Sequence, residues 1–103
     1  MQYKAEYLPI FAKDVRDAVS YIADTLKNVK AANDLLDALE SRIDTIKNDP
    51  YIALKYRGTH ELDDEIYWFS VKNYMVFYVV HDNAIEFRRF LYGRRNIADC
   101  DMT

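Results

Sequence analysis

The apolar residues of this chain change their spacing partway along it, and few folds accommodate that change. Phe11, Val15, Ala18, Val19, Ile22 and Leu26 recur mainly at intervals of three and four, as do Ala32, Leu35, Leu36, Leu39, Ile43 and Ile46. Each set forms one stripe along a helix, with Lys13, Asp14, Arg16, Asp17 and Asp24 opposite the first. Lys27-Asn28-Val29-Lys30 leaves room only for a tight connection, with Asn28 suited to a left-handed cap. Asp49-Pro50 stops the second stripe. Beyond an irregular stretch with Gly58 and the acidic Asp63-Asp64-Glu65, the chain turns to strand formers: Ile66 to Val71, Tyr74 to Val80 and Ile85 to Leu91. Lys72-Asn73 and Asp82-Asn83 separate these runs at hairpin spacing. The alternating Tyr3, Ala5 and Tyr7 precede Pro9, which suits the first turn of a helix.

The pattern predicts a single α+β domain over 1–103. It comprises a strand at 1–8, a hairpin of helices at about 10–27 and 30–48, and a loop at 49–64. A three-stranded antiparallel meander follows at about 65–71, 74–81 and 84–92, then a basic tail at 93–98. The helices must bury their stripes on one sheet face. The middle run, Tyr74 to Val80, is apolar on both faces, and Tyr67, Trp68 and Phe69 follow one another. Aromatic residues make up 15% of the chain, more than one-sided burial uses. The second sheet face is therefore expected to be covered by a partner or left as an aromatic surface.

Charge narrows the chemistry. Fourteen Lys and Arg face seventeen Asp and Glu, a formal charge of −3, so the chain is no general phosphate binder and meets nucleic acid only through a local patch. Arg88, Arg89, Arg94 and Arg95 are such a patch, interleaved with Phe90 and Tyr92 and followed through Gly93. Arginines beside a tyrosine at a strand end hold phosphates and stack bases. They serve equally to pair with the acidic loop or an acidic partner. His60 and His81 lack a second ligand at metal spacing, and the crowded Glu61, Asp63, Asp64 and Glu65 read as a solvated loop. The single Cys100, between Asp99 and Asp101, excludes an internal disulfide. No metal or cofactor is expected, and no apolar run is long enough to span a membrane. The N-terminal Glu6 falls where a signal peptide needs apolar residues, which predicts a cytoplasmic protein.

Two segments, Asn73-Tyr74-Met75-Val76-Phe77-Tyr78 and Phe87-Arg88-Arg89-Phe90-Leu91-Tyr92-Gly93-Arg94-Arg95-Asn96, carry a resemblance. Together with the order strand, helical hairpin, meander and basic tail, they resemble the RelE/ParE superfamily of bacterial toxins, closer to the ParE-like branch. The resemblance implies the toxin of a type II toxin–antitoxin, or plasmid stabilisation, system. A cognate antitoxin would neutralise it by folding its C-terminal segment onto the toxin.

ParE-like members poison DNA gyrase, and here Arg88, Arg89, Tyr92, Arg94 and Arg95 are the target-binding candidates. RelE-like members are ribosome-dependent mRNA endonucleases, for which Tyr92 and Arg95 are the catalytic candidates. A third reading is a toxin fold that only binds an antitoxin. The nuclease branch typically carries Arg after the first Tyr of the middle strand, to stabilise a transition-state phosphate; this chain has Met75. Lysines before the meander are also few, with only Lys55 and Lys72 nearby. Many ParE-like members carry a His where Tyr92 stands, so no His-based role transfers to that position. A phenol is a poor base at neutral pH unless cations such as Arg94 and Arg95 lower its pKa. A homodimer before neutralisation is compatible with the sequence.

Overall fold

The computed structural model describes residues 3–55 and 66–93. Arg94, Arg95, Cys100, His60 and the carboxylates of the acidic loop lie outside the described residues, as does most of the loop expected at 49–64. The chain is α+β, with strands in the order β1 (Lys4–Tyr7), β5 (Ala84–Tyr92), β4 (Tyr74–His81), β3 (Ile66–Val71), β2 (Leu54–Lys55) and both helices on one face.

Strand β1 (Lys4–Tyr7) lies parallel to the last strand, β5 (Ala84–Tyr92), with Lys4 opposite Ala84 and Tyr7 opposite Phe87. Helix α1 (Pro9–Ser20) begins on proline, whose fixed φ suits the first turn and whose missing N–H costs nothing there. Helix α2 (Val29–Asn48) is capped by the Asn28 side chain, which accepts from the Ala31 N–H at 3.0 Å. Strands β3 (Ile66–Val71), β4 (Tyr74–His81) and β5 form the antiparallel meander.

The structure departs from expectation at informative places. The first helix does not run unbroken to residue 27. Tyr21–Thr25 forms a π-helical turn in which the Leu26 N–H donates to the Tyr21 carbonyl. The wider turn rotates the residues after it, so Leu26 leaves the apolar stripe and is exposed. The left-handed residue is Lys27 (φ 54°), not Asn28, which takes φ −127° and ψ 80° as the N-cap of α2. Asp14 does not face away from the sheet but turns to β5, where it meets Arg89 and the Phe90 backbone. Leu54–Lys55, expected as loop, adds a short edge strand, β2, antiparallel to β3.

The larger core joins Phe11, Leu35, Leu39, Ile43 and Ile46 of the helices to Phe69, Val76, Tyr78, Ile85, Phe87 and Phe90 of the sheet. Phe87 and Phe90 reach the same face despite their odd spacing. A bulge sets Phe77 opposite Arg89 and Tyr78 opposite Phe87, leaving Arg88 as the extra residue. On the opposite face, Ile66, Phe77, Val79 and Leu91 form a second cluster with Trp68 and Met75 against it. Phe77 is fully buried and the other three nearly so. The expectation for that face is a covering partner or an exposed aromatic surface; its centre is instead buried within the chain.

Candidate functional site

Strand β1 pairs with β5 only as far as Phe87, because Pro9 turns the chain up into α1. The backbone of β5 beyond that point would be an open edge. Asp14, one turn into α1, fills the gap. Its Oδ2 accepts from the Phe90 N–H at 3.1 Å and from Arg89 Nε at 2.8 Å, while Oδ1 accepts from Arg89 Nη2 at 3.2 Å. Both side chains are nearly nine-tenths buried, 12% and 13% exposed. The fork geometry is the strong form of arginine–carboxylate pairing. Arg88 turns to Glu86, with Nε 2.8 Å from Oε1, and the other Glu86 oxygen lies 3.7 Å from His81 Nε2.

The five arginine and tyrosine candidates are therefore not equivalent. Arg88 and Arg89 are occupied by carboxylates of the chain itself, Arg94 and Arg95 lie outside the described residues, and Tyr92 stands exposed at the strand end. Tyr92 and Tyr74 pack in a T-shape (centroids 5.5 Å apart, planes at 75°), and Tyr74 stacks on Phe90 at 4.7 Å. Beyond Tyr92 the Gly93 N–H donates to the Asn73 carbonyl at 2.7 Å, tying the exit of β5 to the β3–β4 turn. A Cβ at residue 93 would stand 3.1 Å from that oxygen, so a larger residue there would have to push the Asn73 carbonyl back by a few tenths of an ångström.

The second tyrosine of the β4 motif is closed to solvent. The Tyr78 hydroxyl donates to the Pro50 carbonyl. Burial, then the Tyr67 phenol and the Asp49 carboxylate, push its pKa well up, with Arg42 opposing. Such a phenol stays protonated and holds the chain after α2 against the sheet. It offers no base. Met75 lies on the sheet face away from the helices and carries no donor for a phosphate.

A second surface lies between the helices. They diverge over a groove of 570 Å³ floored by Phe11, Val15, Leu39 and Ile43, with Tyr7 and Leu36 exposed at its sides. Arg16 and Lys47 border it, as do Glu40 and Asp44. The Tyr7 phenol is pushed up by burial and then by Asp44 and Glu40. The spacing assigned Leu36 to the buried stripe; the structure keeps Leu35 and Leu39 inside and turns Leu36 to this groove. Among the described residues no group of three His, Cys, Asp or Glu side chains is placed to hold a metal ion. No described helix is long and apolar enough to cross a membrane.

A family model described as the ParE toxin of the type II toxin–antitoxin system parDE matches residues 5–97. No curated protein matches the chain in sequence. Among solved structures, a chain described as the chromosomal ParDE TA system from P. aeruginosa superposes with a TM-score of 0.69 at 9% identity. The match covers 88% of this chain and 96% of that one. At that identity the likeness speaks for the fold.

Proposed function

The chain belongs to the ParE toxin family of type II toxin–antitoxin systems, and on that premise we propose that it inhibits DNA gyrase and is neutralised by a cognate antitoxin. The observation that carries gyrase over RNA cleavage is the state of β4. Met75 stands where a nuclease needs a cationic donor, and the buried Tyr78 phenol is engaged by Pro50. Arg88 and Arg89 are held by Glu86 and Asp14, so they shape the end of the sheet. Tyr92, with Arg94 and Arg95 after it, is the part of the cluster we assign to the target.

The groove between the helices supports the antitoxin half of the proposal. An amphipathic segment, disordered until it docks, would cover Tyr7 and Leu36 and bury the apolar floor beneath them. Mixed charges at the border suit a polar outer face.

Expression in a bacterial host tests the reading. It predicts a DNA-damage response that disappears when a short reading frame adjoining the gene is co-expressed and its product co-purifies. Codons cut in ribosome-bound mRNA would instead establish an interferase. Undisturbed growth in every host tested would establish a toxin fold without target activity.

A further inference from the structure

Where α1 gives way to the π-helical turn, Tyr21 and Leu26 stand out from the surface, 53% and 56% exposed. They border a groove of 710 Å³ whose other wall carries Tyr74 and Tyr92. Phe90 covers one face of the Tyr74 ring and Tyr92 packs against it in a T-shape. The Tyr74 phenol is pushed up by burial first and then by Tyr92 and Tyr21, so the three hydroxyls lie within electrostatic reach of one another.

Two charged side chains are among the described residues lining this groove, and both are carboxylates. Asp14 is committed to Arg89 and to the Phe90 N–H. Asp17 is exchangeable. It pairs with Lys13 one turn away, both groups about two-thirds exposed, and such surface pairs contribute little. A phosphate finds no cation among these described residues. A cation finds the Asp17 carboxylate, the Tyr21 and Tyr92 rings, and Ile22 and Leu26 for the carbon chain that carries it. A guanidinium matches better than an ammonium, because it is planar, weakly hydrated and stacks on aromatic rings.

We propose that this groove receives an arginine side chain, presented beside an aliphatic neighbour, from a partner protein. The backbone that builds it is consistent with a selected site. A π-helical turn and a left-handed lysine at residue 27 are both local costs, and together they hold Leu26 outward instead of in the core. The groove is separate from the floor between the helices, and its occupant does not depend on gyrase being the target.

The test uses the full chain and three probes: acetyl-Arg-Leu-amide, acetyl-Lys-Leu-amide and acetyl-Glu-Leu-amide, titrated into protein labelled at its tyrosine rings. The arginine probe is expected to shift the Tyr21, Tyr74 and Tyr92 resonances with millimolar affinity or better, the lysine probe to bind more weakly, and the glutamate probe to leave them unmoved. Asp17→Asn and Tyr92→Ala, both at exposed positions, should each weaken the arginine probe by about two- to fivefold, the range expected of exposed charge and cation–π contacts. Equal response to the arginine and glutamate probes, no response at all, or a response that neither substitution alters would overturn the proposal. A response seen only after Arg94 and Arg95 are both replaced by alanine would assign the groove to the chain's own arginines and overturn it too.

Discussion

Replacing Asp14 should be the most damaging single change at the candidate site, because its carboxylate is committed to Arg89 and the Phe90 backbone. Its carboxylate carries three hydrogen bonds, two from Arg89 and one from the Phe90 backbone. Asp14→Ala leaves a guanidinium that is only 12% exposed without this counter-charge and a backbone donor without its acceptor. Breaking one side of a fully buried ion pair costs about 3–5 kcal/mol. The remaining exposure lets water reach both groups and reduces this to about 2–3 kcal/mol. Urea unfolding followed by circular dichroism reads that loss directly as a lower midpoint at unchanged slope. The pair Asp14→Leu with Arg89→Met removes both charges but still leaves the Phe90 N–H unsatisfied, so about 1–2 kcal/mol of the loss should remain. A full double-mutant cycle should return a coupling of at least about 1 kcal/mol. If Asp14→Ala shifts stability by less than about 0.5 kcal/mol, the level of a neutral surface change, the reading of Asp14 as the closure of the β5 edge is wrong.

The same geometry sets four other outcomes. Tyr78→Phe, which removes the hydroxyl held by Pro50, should cost about 1 kcal/mol in urea unfolding. Because the folded-state pKa of Tyr78 is raised above its ordinary value of 10.0, its contribution is complete below pH 10 and is lost as pH climbs above that. A pH series should therefore show a decline on the alkaline side that is shallower in Tyr78→Phe. Lys27→Gly relieves the left-handed backbone at φ 54° and should raise the unfolding midpoint by an amount worth about 0.5–1 kcal/mol. Leu36→Asp, at a position already 38% exposed, should leave the melting temperature nearly unchanged and weaken capture of the antitoxin by about tenfold or more in a co-purification titration. Tyr92→Phe keeps the ring and should preserve toxicity if gyrase is the target; loss of toxicity together with loss of mRNA cutting, there or in Arg95→Ala, would instead mark a catalytic phenol.

The architecture was legible because period is a strong signal. Five residues of the second stripe, from Ala32 to Ile46, are buried as their spacing predicts, and the meander follows from three strand-forming runs with polar punctuation. The π-helical turn was not legible, because inserting one residue changes no composition and shows only when Leu26 fails to point inward. Asp14 was hidden for a different reason. Among Lys13, Arg16 and Asp17 it is one more polar residue, and what distinguishes it is the length of β1, which ends at Tyr7 and leaves Phe90 to be satisfied by something else. The bulge at Arg88 likewise sets Phe87 and Phe90 on one face against simple alternation, and it separates the two neighbouring arginines to Glu86 and Asp14. The sequence presented them as one basic patch. The aromatic excess suggested a partner or an exposed aromatic surface on the second sheet face, yet Phe77, Val79 and Leu91 are buried within the chain.

The claim that Tyr92 and the arginines after it serve a gyrase inhibitor meets its most direct test with purified components. Full-length protein incubated with gyrase, ATP and supercoiled plasmid should trap cleaved DNA as linear product on denaturation. The amount should fall in Tyr92→Ala and in the Arg94→Ala, Arg95→Ala pair while the fold persists. Absence of trapped linear product at any ratio of protein to gyrase, with supercoiling unaffected, would contradict it.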